Sequence, residues 1–453
     1  MSGREGSRGT GWDNLLRRVD AAREIGRNAL ASAYPPRGNG ATDFTTLPGM
    51  AEQYLQRRLA GKLELANPYF RVHEGVASAH TVIGGRELVN FCSYDYLGLN
   101  GDPRIAAAAK EAIDAYGISA SASRCVAGER PVHRRLEERL AQHYGVEDCA
   151  VFVSGWMTNT GVIGELVGAK DLVLLDEAMH NSALMGGALS GAARKNFRHN
   201  DLAHLDAILA EFRGRFARAL IVVEGLYSMD GDHPDLAGLV ALKERHEAWL
   251  MVDEAHALGV LGARGFGLAE ECGVDPRDVD IWMGTLSKAL ASCGGYIAGS
   301  AALVDYVKSQ VGAFVYSVAM PPVIAAAAET ALELLHLEPE RTARLRRNGQ
   351  AFRTHAKTRG LDTGTSCGAA IAPVIIGDSL PTALLSERLF ERGFNTFPVI
   401  YPGVPARQAR LRFFLTANHE EAEIEAVLDA AAEELAQVND RIRRLRISTT
   451  DPT

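Results

Sequence analysis

The sequence predicts an α/β protein with a mostly parallel central sheet, helices on both faces of that sheet, and a smaller C-terminal α/β domain. Five short apolar runs rich in Val, Ile and Leu lie between residues 149 and 287, namely "CAVFVSG", "DLVLLDE", "RALIVVEG", "WLMVDEAH" and "DIWMGTLS". Helical stretches such as "LEERLAQHY" and "LAGLVALKERHEA" separate these runs. Near-continuous apolar strands that alternate with helices are typical of a parallel sheet covered on both faces.

The chain before this sheet divides into two parts. Residues 1–50 are predicted to form an N-terminal extension, because "WDNLLRRVDAAREIGRNALASAY" has helical periodicity and "YPPRGNGATDFTTLPG" is turn and linker material. Residues 51–100 are predicted to form an N-terminal segment. In this segment a helix precedes "RELVNFCSYDYLGL", which indicates a strand leading into a turn.

The rest of the chain is predicted to form a large and a small domain. The large domain covers residues 101–335, with strands over 149–155, 171–177, 218–225, 249–256 and 280–287. The small domain covers residues 336–445, where "AAIAPVIIGD" and "ARLRFFLTANH" alternate with helices, and residues 446–453 are a tail.

Composition restricts the classes of partner and compartment. The 453 residues carry a formal net charge of −8 and no long Lys/Arg block, which disfavours nucleic acid or an anionic membrane as the main partner. The six cysteines form neither a C-x-x-C pair nor a Cys/His cluster, so we expect no disulfide framework and no metal site. There is no signal-peptide run and no stretch of about 18 apolar residues, so we expect a cytoplasmic protein without a membrane span.

Polar residues follow each of the five predicted strands. Because the carboxyl ends of parallel strands share one edge of a sheet, ligands bind there. The candidate residues at this edge are Ser154, Gly155, Trp156, His180, Glu224, Ser228, Asp253, His256, Thr285, Ser287 and Lys288. The sequence lacks metal-ligand spacing, a Gly-x-Ser-x-Gly elbow and a dinucleotide fingerprint, which disfavours the corresponding enzyme classes.

Lys288 is the single charged residue of "GTLSKALASCGGYIAGS". A desolvated amine is neutral and nucleophilic near pH 7, so it can bond covalently to an aldehyde. With a buried acid and a phosphate site, such a lysine indicates pyridoxal 5'-phosphate. Asp253 would then keep the pyridine nitrogen protonated. The helix that begins in "SGWMTNTG", with the hydroxyls of Thr285 and Ser287, would bind the phosphate.

Two histidines complete this hypothesis. His180 could lie flat on the cofactor ring, and His256 could hydrogen-bond its phenolic oxygen. Each assignment has a simpler alternative: Asp253 could cap a helix, both histidines could be structural, and Lys288 could be a surface lysine on a loop. The joint occurrence of these residues in this order favours the cofactor.

Three ordered motifs identify a resemblance. "VEGLYSMDGD", "MVDEAHALGVLGARGFG" and "GTLSKALASCGGYIAGS" resemble the α-oxoamine synthases, which are fold-type I pyridoxal phosphate enzymes with an aspartate aminotransferase-like fold. The resemblance runs from about residue 65 to about residue 435. "NPYFRVHEGV" and "ARLRFFLT" further resemble the branch associated with polyketide pathways, where the acyl donor is often a carrier-protein thioester.

The resemblance implies a reaction and roles for the residues. A small α-amino acid (glycine, alanine or serine) would condense with an acyl-coenzyme A or acyl carrier protein thioester. The products would be an α-aminoketone, CO2 and a free thiol. Lys288, His256, His180 and Asp253 would be the catalytic residues, with Glu224 and Ser228 also near the cofactor. The resemblance also implies a homodimer with the site at its interface.

The resemblance also implies further contacts. Arg412 would bind the amino-acid carboxylate, with Asp95 and Arg124 as further substrate contacts, and Ser317 of the neighbouring subunit would bind the phosphate. Three departures accompany it. Tyr94 and Asp95 replace an Asn near the substrate carboxylate, Val318 and Ala319 replace a Thr-Ser pair, and Trp156 replaces a His.

Two alternative functions remain open from the sequence. One is another fold-type I reaction, such as transamination, aldol cleavage or elimination. The other is a non-catalytic subunit that acts as a scaffold or regulator, which the joint presence of Lys288, Asp253 and Arg412 disfavours.

Overall fold

A computed structural model describes residues 42–62 and 67–448 of the chain. The contacts divide the chain into two units, Met1–Arg71 and Val72–Thr453. Within the first unit, the structure describes a single turn at Phe44–Thr46 and helix α1 at Met50–Lys62. The helix predicted within residues 1–50 lies outside the described residues, as do the last five residues of the tail.

The second unit is built on a seven-stranded sheet. Its strands are β3 (Asp148–Phe152), β4 (Leu172–Asp176), β5 (Ala193–Phe197), β6 (Ala219–Glu224), β7 (Trp249–Asp253), β8 (Ile281–Thr285) and β9 (Gly295–Gly299). The order is β3-β9-β8-β7-β6-β4-β5, and only β9 runs antiparallel to its neighbours. The mostly parallel sheet and its five predicted strands are confirmed. β5 and β9 were not predicted, since "ARKNF" of β5 contains two charged residues and β9 is rich in glycine.

Two smaller sheets complete the unit. One contains β10 (Ile371–Gly377), β12 (Phe397–Val399) and β13 (Ala409–Phe414) in the order β10-β13-β12. The other joins the hairpin of β1 (His80–Ile83) and β2 (Arg86–Asn90) to the short β11 (Phe394–Asn395), which runs parallel to β2. The N-terminal hairpin therefore pairs with a strand about 300 residues later in the chain.

The helices cover the sheets and often begin at capping side chains. Asp102, Ser154 and Ser300 each accept a backbone N–H of the helix that follows. The helices of the second unit are α2 (Pro103–Tyr116), α3 (Pro131–Tyr144), α4 (Gly155–Leu166), α5 (Asn181–Leu189), α6 (Leu202–Phe212), α7 (Leu236–Arg245), α8 (Leu268–Cys272), α9 (Ala301–Gln310), α10 (Gly312–Val315), α11 (Pro322–Leu337), α12 (Pro339–Thr358), α13 (Ser379–Glu391) and α14 (Glu421–Ser448). Single turns lie at Arg124–Gly128, Arg213–Arg215 and Pro276–Asp278.

Alternation along the strands separates two hydrophobic cores. In β6, Leu220 and Val222 face one core, whereas Ile221 and Val223 face the other. The first of these faces is covered by apolar side chains of α4, α5 and α9, including Val162, Ala183 and Val304. None of the helices within the described residues is both long and apolar enough to span a bilayer.

Candidate active site

Strand alternation places two acids side by side at the carboxyl edge of the sheet. Glu224 ends β6 and continues the face of Leu220 and Val222, and it pairs in register with Asp253 at the end of β7. Both residues are buried, at 3% exposure each. Because α4 and α5 cover this face, these carboxylates point beneath those helices and not into open solvent.

The carboxylate of Asp253 is held by two donors. The side-chain amide of Asn159 donates to Asp253 Oδ2 at 2.7 Å, and the backbone N–H of Ala255 donates to Oδ1 at 2.9 Å. These hydrogen bonds fix the direction of the carboxylate. The simpler alternative, in which Asp253 caps a following helix, is wrong, because the residues after Asp253 form turns and its second bond reaches α4.

Lys288 lies on the loop that joins β8 to β9. Hydrogen bonds across this loop, from Leu286 N–H to Gly294 O and from Ser292 N–H to Leu286 O, keep it compact. Desolvation lowers the pKa of Lys288 to about 8, against the opposing effect of Asp253 and Glu224. About a tenth of the amine is therefore uncharged at pH 7, and this fraction is available for its predicted role.

The two histidines are oriented by different partners. The Tyr96 hydroxyl lies 2.7 Å from His256 Nδ1, and both side chains are buried. His180 precedes α5, where its Nδ1 lies 2.7 Å from Ser182 Oγ while its ring keeps an exposed surface. Desolvation lowers the pKa of both imidazoles, and the charge of Lys288 lowers each pKa further. Each ring is therefore neutral near pH 7.

The strand-to-helix turn at 154–156 touches the loop after β8. A Cβ built on Gly155 would lie 2.9 Å from Thr285 Oγ1, so only glycine allows this approach. Ser154 Oγ caps α4 by accepting the Met157 N–H, while Trp156 is exposed beside the first helical turn. Thr285 Oγ1 donates to Gly294 O at 2.8 Å and lies 3.2 Å from the exposed Ser287 hydroxyl. Amides and hydroxyls thus converge where the phosphate is predicted.

Arg412 lies on β13 of the small sheet and belongs to the same site as Lys288 and the two histidines. Its Nη1 donates to Ser228 O at 3.0 Å, and its guanidinium lies 4.6 Å from the ring centroid of Phe414. No carboxylate within the described residues forms an ion pair with Arg412, which is only 7% exposed. Its charge lowers the pKa of Lys288, His180 and His256, which places it close to all three.

Two predicted substrate contacts are engaged elsewhere in this chain. The carboxylate of Asp95 accepts the N–H groups of Leu99 at 2.8 Å and Asn100 at 3.1 Å and so stabilises a turn. The guanidinium of Arg124 bonds Glu129 and the buried Glu137. Their substrate-binding roles stay predictions, and Tyr94 is the residue of that turn whose ring faces the amine of Lys288, at 5.7 Å.

Ser317 also makes only a local contact within the chain. Its hydroxyl donates to Val318 O at 3.2 Å, and the segment follows α10. Its predicted role involves a neighbouring subunit and stays a prediction.

Three buried polar residues of this region were missed from the sequence. Asn159 bonds Asp253, Ser182 contacts His180, and Tyr96 contacts His256. Asn159 lies within "SGWMTNTG" and Tyr96 within "SYDYLGL", so both stood beside residues already identified. For Asn159, the available signal was a polar side chain on an otherwise buried helix face.

Orphaned buried atoms allow a test of whether the predicted cofactor fits. Glu224 Oε1 and Arg412 Nε are both buried without a hydrogen-bond partner within the described residues. Such groups are costly unless a ligand satisfies them. An anionic amino acid next to Arg412, and a cofactor held among Asp253, His180 and Lys288, supply the missing chemistry. The residues present therefore fit pyridoxal 5'-phosphate.

A cavity of about 340 Å³ opens beside Lys288, lined among others by Tyr94, Ser287 and Ala291. A larger cavity of about 660 Å³ lies at the opposite edge of the sheet and contains none of the predicted site residues. Cavity size therefore does not locate the chemistry of this protein.

The chain is similar to proteins of one family. Residues 86–430 match the family model described as aminotransferase class I and II. An 8-amino-7-oxononanoate synthase of Methylococcus capsulatus is 41% identical over 367 residues, which cover 81% of this chain and 94% of the relative. The enzyme of the same name from Methylocella silvestris is 43% identical over 351 residues, covering 78% and 98%.

Solved structures give the same result. A serine palmitoyltransferase of S. paucimobilis, solved with bound PLP and myriocin, has a TM-score of 0.83 at 30% identity and covers 88% of this chain and 99% of its own. An 8-amino-7-oxononanoate synthase of Francisella tularensis has a TM-score of 0.68 at 25% identity and covers 77% and 98%.

Proposed function

The chain belongs to the α-oxoamine synthases of the class I and II aminotransferase family, and we propose that it condenses a small α-amino acid with an acyl thioester. It is a pyridoxal phosphate-dependent acyltransferase of the fold-type I class. Decarboxylation accompanies the condensation, so the products are an α-aminoketone, CO2 and a free thiol. The proposed amino-acid substrate is glycine, alanine or serine.

A single observation carries this proposal. Three groups converge on one edge of the sheet: the amine of Lys288, the carboxylate of Asp253 and the guanidinium of Arg412. Both neighbours act on the amine, since Asp253 raises the pKa of Lys288 and Arg412 lowers it. Arg412 has no carboxylate partner within the described residues, while the neighbouring Arg410 is paired with Asp230. An amine, an acid and an unpaired guanidinium are the groups needed to bind and deprotonate an amino acid.

Each residue has a defined task. Bound pyridoxal phosphate supplies an electron sink for the electron pair left on the amino-acid Cα. Asp253 would hold the pyridine nitrogen, and the turn at 154–156 with Thr285 and Ser287 would hold the phosphate. Arg412 binds the amino-acid carboxylate, and Lys288, neutral in part, accepts the Cα proton.

The remaining groups adjust and enclose the site. His180 would pack on the cofactor ring, and His256 would donate to its phenolic oxygen. Burial and the nearby charge of Asp253 raise the pKa of Glu224 to about 8, so Glu224 carries a proton at neutral pH and can donate it. The rings of Tyr94 and Phe414 lie beside Lys288 and Arg412, with centroids 5.7 Å and 4.6 Å from their charged groups, and would border the amino-acid substrate.

The decisive experiment measures products with a panel of donors. Purified holoenzyme is incubated with glycine, alanine or serine and with either acyl-coenzyme A or an acyl carrier protein, and released CO2 and free thiol are quantified. We expect equal amounts of CO2 and thiol that depend on both substrates. Conversion of the cofactor to its amine form by an amino acid alone would instead indicate transamination and contradict the proposal.

The Lys288→Ala variant provides the matched negative control. Without the amine, covalent attachment of the cofactor and removal of the Cα proton both fail, so activity should fall by about 10³-fold or more. Lys308, which pairs with the buried Glu137 at 3.0 Å, gives a control lysine outside the site. Lys288→Ala that retained activity would show that another group is the base.

The site is proposed to lie at the interface of a homodimer. Several large apolar side chains are exposed on two adjacent segments, 118–126 and 316–318, which the hydrogen bond from Ala319 N–H to Ala122 O links at 2.9 Å. They are Ile118 at 66%, Val126 at 82%, Tyr316 at 87% and Val318 at 49% exposure. An apolar patch of this kind, which contains the predicted phosphate contact Ser317, is best covered by a second copy of the chain.

Sedimentation velocity tests the dimer. Tyr316→Asp should convert the dimer to a less active monomer, because it places a charge in the apolar interface. Tyr306→Asp, at an exposed tyrosine of the opposite sheet edge, should leave the dimer intact. A monomeric wild-type enzyme with full activity would contradict the proposal.

A cytoplasmic location is also proposed. No disulfide joins the cysteines of the described residues, and burial raises the pKa of the Cys149 and Cys367 thiols, which keeps them protonated and unreactive. Thiols of this kind suit a reducing compartment.

A further inference from the structure

A chain of hydrogen bonds runs behind the site from one predicted cofactor contact to another. The amide nitrogen of Asn159 donates to Asp253 Oδ2 at 2.7 Å and to Ser182 Oγ at 3.0 Å. Ser182 Oγ lies 2.7 Å from His180 Nδ1. Asn159 and Ser182 are both 1% exposed, so neither is positioned to touch a substrate.

The direction of each hydrogen bond follows from the available protons. The acceptor-only carboxylate of Asp253 requires that the nitrogen of the Asn159 amide face it, and an NH2 group has two protons to donate. Ser182 Oγ accepts the second of these protons, so its own single proton goes to His180 Nδ1. The Ser182 N–H also points to Nδ1, at 3.3 Å.

The tautomer of His180 is thereby determined. Desolvation lowers the pKa of His180, so the ring carries one proton near neutral pH. Because Nδ1 accepts from Ser182, that proton lies on Nε2, on the side of the ring away from Ser182. Asn159 therefore acts on Asp253 and His180 at the same time, across the face of the sheet that α4 and α5 cover.

We infer that Asn159 is a positioning residue that couples the pyridine-binding acid Asp253 to the ring-packing His180 through Ser182. The inference rests on the proposed cofactor chemistry. Asn159 keeps the Asp253 carboxylate aimed, while Ser182 keeps the His180 ring in one orientation and one tautomer. The hydrogen-bonded chain branches at the amide nitrogen of Asn159, with one bond to Asp253 and the other to Ser182. A substitution can therefore break one branch and keep the other.

The test measures the affinity of apoprotein for pyridoxal 5'-phosphate by equilibrium dialysis, together with the absorbance spectrum of the bound cofactor. Loss of the donor in Asn159→Ala should weaken binding by about tenfold or more, the effect of one hydrogen bond to a charged group. It should also shift the absorbance of the bound cofactor, because a carboxylate that is no longer aimed changes its contact with the pyridine nitrogen. A purely structural role would weaken binding and leave that spectrum unchanged.

Two further variants separate the branches. Ser182→Ala keeps the bond from Asn159 to Asp253, so it should weaken binding by only about threefold. Thr160→Val removes a different bond between α4 and α5, from Thr160 Oγ1 to Ser182 O at 3.1 Å, and should leave the spectrum of the bound cofactor unchanged. Thermal unfolding of each apoprotein shows whether it is folded. If Asn159→Ala does not fold, Asn159→Asp serves in its place, since it keeps the shape but loses both donors.

The outcomes are distinguishable. Wild-type apoprotein that fails to bind pyridoxal phosphate would refute the proposed function itself. Wild-type protein that binds, together with folded Asn159 variants that bind equally well or show an unchanged spectrum of the bound cofactor, would refute the positioning role alone.

Discussion

At the amino ends of the strands, a cavity of about 660 Å³ lies between Arg218, Trp249 and Tyr306, whereas the cavity beside Lys288 at the carboxyl ends measures about 340 Å³. The charges around the larger cavity are already paired. Arg218 lies 3.7 Å from Asp171, and Lys243 lies 3.2 Å from Asp280. Because these charged side chains already have ion-pair partners, a ligand would add little to their electrostatic stabilisation.

The carboxyl edge differs in the state of its polar groups. Glu224 and Arg412 each bury an atom without a partner within the described residues, and Lys288 has a pKa lowered to about 8 by desolvation. The carboxyl edge thus combines a desolvated amine with these partnerless acid and guanidinium atoms, and this combination, not empty volume, distinguishes it from the amino edge. Four predictions test this contrast.

Arg412 should give the largest effect. In Arg412→Lys the planar fork that binds a carboxylate at two points is lost, so KM for the amino acid should rise by about tenfold to 100-fold while kcat changes less. Arg410→Lys on the same strand is the control, because Arg410 is already paired with Asp230. Equal effects of the two substitutions in steady-state kinetics would remove Arg412 from the substrate site.

Glu254 makes the carboxyl edge sensitive to pH. It is 1% exposed, and burial raises its pKa from 4.5 to about 8. Between these values the folded protein holds a proton that the unfolded chain releases, so this carboxyl lowers stability as pH rises.

The Glu254→Gln variant removes that dependence. Relative to wild type, its free energy of unfolding should increase by up to about 1.4 kcal/mol per pH unit across this window. Urea unfolding of both apoproteins at several pH values measures the difference, in which the other titrating groups cancel. A difference that stays constant with pH would mean that Glu254 is ionised in the folded protein.

Tyr96 should have a moderate effect through His256. The buried hydroxyl of Tyr96 has no other partner within the described residues, so it donates to Nδ1 and leaves the imidazole proton on Nε2. Tyr96→Phe should lower kcat by about threefold to tenfold. In a His256→Ala background the same substitution should have little further effect, since a double-mutant cycle isolates the pair. Fully additive losses would contradict the pairing.

Arg218 should have the smallest effect. Its side chain is 58% exposed and its ion pair with Asp171 is long, so Arg218→Ala should change stability by less than about 1 kcal/mol. We expect kcat/KM to stay within about twofold of wild type. A large loss of activity would show that the amino-edge cavity takes part in function and would overturn the contrast between the edges.

Local signals in the sequence determined part of the fold. Apolar runs predicted five strands of the central sheet, and these are confirmed because strand alternation depends on neighbouring residues. The polar residues that follow those strands include Asp253, Glu224 and Lys288, whose roles in the site stay predictions. The same signals failed for β5 and β9, since "ARKNF" carries charges and "GYIAG" carries glycines.

Only the tertiary structure decided which distant groups meet. Asn159 reaches Asp253 across 94 positions, Tyr96 reaches His256 across 160, and β2 pairs with β11. The tertiary structure also pairs Arg124 with Glu137, whereas the resemblance implied that Arg124 contacts the substrate. Such partners are selected by packing and by the cost of leaving a buried polar atom unpaired, and neither is encoded in spacing along the chain.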